Sequence, residues 1–442
     1  MVQKRLEELL LQENYAEAIA VSTALHPADV AETLALVALD SQVKFIATLA
    51  VERAAFVLQQ MELNNQASII EKLGIDKATE ILTLMSTDDA ADLLGELPGK
   101  ASSELLAEMG DDGTEIKRLL NYDEDTSGGL MATEFVAIKE GQTAGQVLAL
   151  LRQLAPSEKN AYYIYVVDED RTLAGVVSLR ELVISPLDTK IESITKREVI
   201  SVPENLDQEE VARIFEKYDF LALPVVNQEN KIVGVITVDD VLDVAEEEAT
   251  EDILKSASIN PLDSGYDSTS VWTLFSKRIV WLIVLIFVNL VSSGIIAAYE
   301  NVLSSALALA FFIPLLIGTG GNTGSQSATL VIRALVTGDV RMADWGKVFL
   351  KELLVGACLG TVLGAAGVLL GLFRGGVEIG LVVGLTMMAI VVVSNLIGMI
   401  LPFGLTLLRL DPAVASSPLI TSISDATGLM IYFAIASQIL KL

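Results

Sequence analysis

At 442 residues the chain is long enough for two to four domains. Its 52% hydrophobic content sits beside a formal net charge of −28, and the two are reconciled by position. Residues 279–442 carry seven acidic and seven basic side chains, which leaves 51 acidic and 23 basic residues in 1–278. Such an acidic half excludes nucleic acid and anionic headgroups as its partners and favours cations. The single Cys358 excludes a disulfide framework or a cysteine metal site.

Residues 1–127 read as an all-helical, acidic N-domain. Apolar stretches recur every 11–13 residues (30–36, 45–49, 54–58, 67–73, 78–82, 90–97), separated by polar or turn-prone residues, the pattern of a superhelical solenoid. Ser86 or Thr87 is placed to cap a helix whose first turn holds Asp88 and Asp89. The lone histidine, His26, reads as a helix-flank residue. Met1-Val2-Gln3-Lys4-Arg5 leads into an amphipathic stretch and not a signal peptide's apolar core, so this half is expected to stay in the cytosol.

Residues 128–243 hold an internal repeat. Val166-Val167-Asp168 through Ser178 matches Val225-Val226-Asn227 through Thr237 at an offset of 59 residues, and Glu140…Val147 matches Glu204…Val211 at 64. The first copy therefore carries about five extra residues, expected near Pro156–Asn160. Each copy reads strand, helix, strand, turn, strand, helix, with Pro224 starting a strand. This duplicated α/β unit resembles the tandem CBS pair, whose cleft often takes adenine nucleotides.

A helix is predicted from Thr237 to Ser268; its stretch over 244–270 is read as a connecting segment. It is rich in acids, and Asp240, Asp243, Glu247 and Glu251 share one face. Such a run is either a solvated face or a set of cation ligands.

Residues 271–442 read as five membrane-spanning helices, at about 279–298, 303–332, 348–373, 379–408 and 413–440. With the N-terminus inside, Lys277, Arg278, Arg333, Arg341, Lys347, Lys351 and Arg409 fall on the cytosolic side, and only Arg374 and Lys441 fall outside. The run Gly318–Ser327 after Pro314 is read either as irregular backbone lining a wet cavity or as a loop between two shorter helices. The fourth segment is expected to be broken at Asn395, Gly398 and Pro402. Gly356, Gly360 and Gly364, four apart, suggest a close-packing face. Asp425 is the only ionisable residue between Ala413 and Leu440. It is a functional candidate, or else a structural acid bonded to a neighbouring helix.

Five strings together make the chain resemble the MgtE family of Mg2+ channels and transporters over nearly its whole length. They are Ser127-Gly128-Gly129-Leu130-Met131, Thr237-Val238-Asp239-Asp240-Val241-Leu242-Asp243-Val244, Gly318-Thr319-Gly320-Gly321-Asn322-Thr323-Gly324, Arg409-Leu410-Asp411-Pro412 and Ser424-Asp425-Ala426-Thr427-Gly428. The resemblance implies a homodimer in the cell (inner) membrane, with the C-terminus outside and Mg2+ both transported and sensed. It implies a pore at Asp425, Thr421 and Asp411, with Asn322 and Asn395 lining it. Regulatory Mg2+ ligands would be Asp88, Asp92, Glu209, Asp219, Asp240, Asp243, Glu248, Glu251 and Asp252. Tyr163, Arg180, Phe220 and Pro224 would form a cleft for ATP as a modulator that is not hydrolysed. Phe56 replaces a glutamate common in the family, and Ser417 an amide or glycine. No GxxxxGK[ST] motif occurs, and the chain is not read as an enzyme. The rival readings are a coupled transporter of Co2+, Mn2+ or Ni2+ and a non-conducting Mg2+ sensor.

Overall fold

The computed structural model describes residues 2–154, 162–262, 266 and 269–441. The chain divides into two compact units, Met1–Glu248 and Ala249–Leu442.

The first unit opens with ten short helices: α1 (Val2–Leu11), α2 (Tyr15–Ser22), α3 (Pro27–Ala35), α4 (Leu39–Thr48), α5 (Val51–Leu58), α6 (Leu63–Lys72), α7 (Ile75–Leu82), α8 (Thr87–Glu96), α9 (Gly99–Glu108) and α10 (Asp111–Leu119). Each packs on the helix two places along, odd on odd and even on even. That is the two-row stack of a solenoid, with the apolar stretches turned into a continuous core. Buried amides close the helix ends: Gln42 donates to the Leu34 and Val37 carbonyls and Gln66 to that of Met61. His26 caps α3, its Nδ1 accepting from the Ala28 N–H at 3.3 Å. The start of α8 is capped by neither Ser86 nor Thr87 but by Glu134, which accepts from the Thr87 N–H at 3.1 Å and hydroxyl at 2.8 Å.

The repeat forms two three-stranded sheets. The first comprises β1 (Ala137–Lys139), β2 (Tyr163–Val167) and β3 (Leu173–Ser178), with helices α11 (Ala144–Leu154), α12 (Leu179–Ile184) and α13 (Ile191–Ile194). The second comprises β4 (Val202–Pro203), β5 (Ala222–Val226) and β6 (Ile232–Thr237), with α14 (Gln208–Tyr218) and α15 (Val238–Ser256). In both, the first strand runs parallel and the third antiparallel to the middle one, with matching irregularities after Val166 and Val225. Ile138 pairs with Val166, and Val202 with Val225, which reproduces the offsets of 64 and 59. The expected insertion near Pro156–Asn160 lies outside the described residues. Pro224 sits inside β5 and not at its start. Its missing N–H loses no bond to β6, because Val235 opposite gives both its N–H and its C=O to Ala132.

The connecting helix α15 ends at Ser256, short of the expected Ser268; residues 263–265 and 267–268 lie outside the described residues. Ser258 is left-handed (φ 61°), and the Ile259 N–H reaches back to the Leu254 carbonyl. This closing turn stops the helix, and Pro261 follows.

The second unit holds α16 (Val271–Ala298), α17 (Glu300–Ser305), a 3-10 turn (Leu307–Phe312), α18 (Ile313–Val336), α19 (Trp345–Leu407) and α20 (Ser417–Leu440). Four stretches are long and apolar enough to cross a membrane: α16, the 3-10 turn with α18 (Leu307–Val336), the stretch Met342–Leu407 that holds α19, and α20. At 63 residues, α19 would be about 95 Å long if straight. It is instead two antiparallel helices joined at Gly376 (φ 81°, ψ −170°), a conformation that suits glycine. The two halves, 345–375 and 377–407, supply the third and fourth of five spans. Their seam is made of glycine: Cβ atoms built at Gly371, Gly364 and Gly360 would lie 2.5 Å from Gly380 Cα, 2.9 Å from the Gly384 carbonyl and 2.9 Å from the Met388 carbonyl. The packing face expected at Gly356, Gly360 and Gly364 therefore exists and extends to Gly371.

Two expected breaks are absent. The Gly318–Ser327 run is continuous α-helix within α18, so it neither frees backbone nor forms a loop; the interruption falls earlier, at Ala306 and the 3-10 turn. The glycines instead admit neighbours: a Cβ at Gly321 would meet Thr421 at 2.7 Å, and one at Gly398 would meet the Gly324 carbonyl at 2.2 Å. Nor do Asn395, Gly398 and Pro402 break α19. Pro402 lacks only an N–H, and in an apolar phase the surrounding helices hold the rest of the ladder.

Candidate functional site

Asp425 lies on α20, half-buried, and its Oδ1 is buried without a hydrogen-bond partner. The reading of a structural acid bonded to a neighbouring helix therefore finds no bond at that oxygen. One turn earlier the Thr421 hydroxyl donates to the Ser417 carbonyl at 2.8 Å, which leaves the Thr421 side chain against Gly321 and Ser325 of α18. Asn322 is exposed on α18.

Asn395 is buried within the helical bundle. Its amide donates to the Glu352 carbonyl at 2.8 Å and to Glu352 Oε2 at 2.7 Å, and the Ser327 hydroxyl donates to the same oxygen at 2.9 Å. These three residues tie α18 to both halves of α19, and all three line a cavity of about 360 Å³ together with Gln326, Lys351 and apolar side chains. Glu352 was discoverable from the sequence by the same signal as Asp425, a carboxylate in an apolar run.

Asp411 caps the 3-10 turn Pro412–Val414, accepting from the Ala413 N–H at 2.7 Å, and its other oxygen accepts from Lys255 Nζ at 2.8 Å. Lys255 also pairs with Glu251 at 2.7 Å. Burial works against the Lys255 charge, but the hydrogen bonds and charges of Asp411 and Glu251 outweigh it and raise its pKa.

In the first unit, α8 and α15 bring acids together. Asp88 is buried, and burial followed by the charges of Asp240 and Asp89 pushes its pKa well above the ordinary carboxylate value. Asp240 is pushed up to about 7, mainly by burial, with Asp239 and Asp89 adding to it and hydrogen bonds from Thr237 opposing it. Asp92 reaches solvent on one side. Even so, desolvation and the charges of Asp89, Glu124, Asp240 and Glu247 push it up to about 7. Asp88, shielded on all sides, is the firmer reporter of the cluster. Asp243 is raised by burial, Glu246, Asp239 and Asp89. Asp89 itself is held by Gln59 and Ser86.

The other expected ligands stand apart. Glu209 pairs with Arg213 at 2.8 Å, Glu248 accepts from Gln208 at 2.8 Å, and Asp219 is an exposed left-handed residue ending α14. Asp252 lies on α15 beside Glu251. Among the described residues no three acidic, histidine or cysteine side chains converge as a ready metal cage. Mg2+ keeps several waters, so carboxylates facing it stand further off than in a closed cage. Glu247, already placed on the acidic face of the connecting helix, acts on Asp92, while Glu124 and Lys255 join these clusters without having been singled out; of those two only Lys255, the first base after an acidic run, carried a sequence signal.

Of the nucleotide candidates, Tyr163 packs where the two repeats meet, with Ala222 and Val235. Arg180 is exposed in the first turn of α12, Pro224 is buried in β5, and Phe220 stacks on Tyr218 at 5.5 Å.

The fold and these carboxylates define a multi-pass membrane protein with a CBS pair ahead of its transport helices. Residues 313–435 match the family model described as a divalent cation transporter (MgtE), residues 25–125 the MgtE intracellular N domain, and residues 128–187 and 191–247 the CBS domain. The chain is 47% identical over 327 residues to the magnesium transporter MgtE of Thermus thermophilus, covering 74% of this chain and 73% of that one. It is 39% identical over 335 residues to the magnesium transporter MgtE of Enterococcus faecalis, covering 74% and 72%. The chain belongs to the MgtE family. A crystal structure of the cytosolic domain of the Mg2+ channel MgtE in complex with ATP superposes with TM-score 0.52 at 36% identity, over 55% of this chain and 99% of that one. The soluble part of a magnesium transporter does so with TM-score 0.52 at 33%, over 56% and 98%.

Proposed function

We propose that this chain admits Mg2+ through the membrane as a homodimer and closes when cytosolic Mg2+ bridges its acidic clusters. The observation that carries the reading is Asp425, a half-buried carboxylate of an apolar helix with an unpartnered oxygen. Two copies facing each other would offer oxygen to an ion that keeps its waters. No fuel is needed: 100 mV is worth about 2.3 kcal/mol per charge, so about 4.6 kcal/mol for a divalent ion. Thr421 and Asp411 complete the path, with Asn322 exposed on the α18 face and the N-terminus inside and C-terminus outside.

The cluster around Asp88 fits a regulatory cation. Burial and like charge disfavour ionisation there, and a bound divalent ion reverses both penalties. Asp88, Asp92, Asp240 and Asp243 would hold it, and its loss would let their repulsion separate α8 from α15. The domain limits read from sequence (1–127, 128–243, 244–270, 271–442) serve as the working division. ATP would bind near Tyr163 as a modulator, an assignment supported by the relative crystallised with it. Mg2+ flux into proteoliposomes, wild type beside Asp425→Ala, tests the proposal: equal flux would refute the pore at Asp425.

A further inference from the structure

We infer that Lys255 is a tethered cation that occupies the place of a divalent ion between Glu251 and Asp411, and so sets how much Mg2+ that site needs. This rests on the reading that these two carboxylates meet Mg2+. Lys255 Nζ lies 2.7 Å from Glu251 Oε1 and 2.8 Å from Asp411 Oδ2. The three side chains are about one-third exposed or less, so the ammonium lies between two carboxylates that solvent only partly screens.

The partners come from distant chain positions and are each positioned independently. Asp411 is fixed by the Ala413 N–H at 2.7 Å. Lys255 is held one residue before the end of α15, where the chain turns at Ser258, and the Ser258 hydroxyl donates to Ser416 Oγ at 2.6 Å. Glu251 stands one turn before Lys255 on the same helix, so the pair arrives together at the loop that joins α19 to α20.

Charge decides the consequence. Two carboxylates carry −2 and the ammonium returns +1, so the site keeps one net negative charge while Lys255 is in place. A divalent ion entering there meets the repulsion of the ammonium, or must displace it. With solvent screening part of the field, that repulsion is expected to weaken binding of the divalent ion roughly tenfold. The lysine thus holds the carboxylate pair together at low Mg2+ and yields to the ion only when Mg2+ rises.

The test is protection of the full-length protein from limited proteolysis in detergent, titrated with Mg2+. Lys255→Met should lower the half-protecting Mg2+ concentration roughly tenfold, since the competitor is gone. Lys255→Arg, which keeps the charge, should stay within about twofold of wild type. On an Asp411→Asn background the methionine substitution should shift the midpoint less than about threefold, because the shared site is already broken. Lys255→Gln replaces the methionine variant if the latter is not monodisperse. An unchanged midpoint in the neutral variants, or a shift to higher Mg2+, overturns the inference and leaves a plain structural ion pair. A wild type that shows no Mg2+-dependent protection overturns the sensing reading itself, which is a separate result.

Discussion

Thr237 grips Asp240 twice, its N–H donating to Oδ2 at 3.2 Å and its hydroxyl at 2.7 Å. The Ser178 N–H and hydroxyl donate to Glu181 Oε2 in the same arrangement 59 residues earlier, so Asp240 is first of all the capping acid of the repeat's last helix. What differs is the surroundings. Burial works against the Glu181 charge, but the hydrogen bonds of Ser178 and the nearby Lys196 outweigh it and lower its pKa, whereas Asp240 is raised to about 7, mainly by burial, with Asp239 and Asp89 adding to it.

That difference gives a pH dependence. Asp88 and Asp240 are raised in the folded state, so the folded chain keeps protons that the unfolded chain releases above about pH 4. Their favourable contribution is full at low pH and is lost as pH climbs from about 4 to about 7. Residues 1–262 without Mg2+ should therefore melt lower at pH 8 than at pH 5. A fall on the order of 5 °C is expected if the two carboxylates together contribute one or two kcal/mol. Saturating Mg2+ should flatten the curve. A melting temperature independent of pH, read by circular dichroism, would count against the acidic cluster.

Deleting residues 1–127 removes Asp88, Asp89 and Asp92 and leaves α15–α20 intact. Conduction should survive, with inhibition by internal Mg2+ weakened. Neutralising Asp240, Asp243, Glu248 and Glu251 together removes ligands and repulsion at once, so loss of Mg2+ dependence is the shared expectation whichever effect dominates. Patch recordings with internal Mg2+ stepped upward decide it. A normal inhibition curve would make α15 a solvated face and nothing more.

Much of this was legible because it rests on periodicity. The solenoid follows from apolar stretches that repeat, and the sheets from a duplication whose offsets reappear in Ile138–Val166 and Val202–Val225. What failed was local propensity inside the membrane. Glycine, asparagine and proline announce breaks in water, but at Gly318–Ser327 and Asn395–Pro402 they announce contact, because the apolar phase leaves the backbone nothing to bond but its own helix. The partners of Asn395 and Lys255 were illegible for another reason. Glu352 and Asp411 lie 43 and 156 residues away, and nothing in a single chain's pattern couples them.

The glycine seam of α19 can be tested at one position. A side chain at Gly371 would push into Gly380 Cα, backbone that cannot swing aside. Gly371→Leu should cost at least 1–3 kcal/mol by overpacking and lower the melting temperature in detergent. Gly346→Ala, where nothing lies within 4 Å, should leave it unchanged. Equal melting of the two variants would mean that the two halves do not meet at this seam.

Glu352 carries a different load from Asp425. Glu352→Ala would leave one N–H of the Asn395 amide and the Ser327 hydroxyl without their acceptor in the interior, the other amide N–H keeping the backbone carbonyl of residue 352, at about 1–3 kcal/mol for each unmet group. The expected result is a large loss of thermal stability. Glu352→Gln should lose less, since its amide oxygen still accepts. Wild-type melting of Glu352→Ala would remove the polar tie between α18 and α19.

Asp425 should behave in the opposite way. Its Oδ1 is buried and bonded to nothing among the described residues, so Asp425→Ala removes a costly charge from an apolar helix without orphaning a partner at that oxygen. Melting in detergent should stay level or rise, while Mg2+ flux falls by an order of magnitude or more. Asp425→Asn keeps an oxygen that can accept from the water around a hydrated ion, but not the charge that draws it in, so partial flux is expected. The pair of measurements separates a conducting residue from a structural one. A structural acid would lose stability and flux together, as Glu352 is expected to lose stability. A variant that is stable, correctly inserted and unable to pass Mg2+ identifies Asp425 as the carboxylate the ion meets. A stable Asp425→Ala protein with wild-type flux would place the ion path elsewhere in the membrane unit.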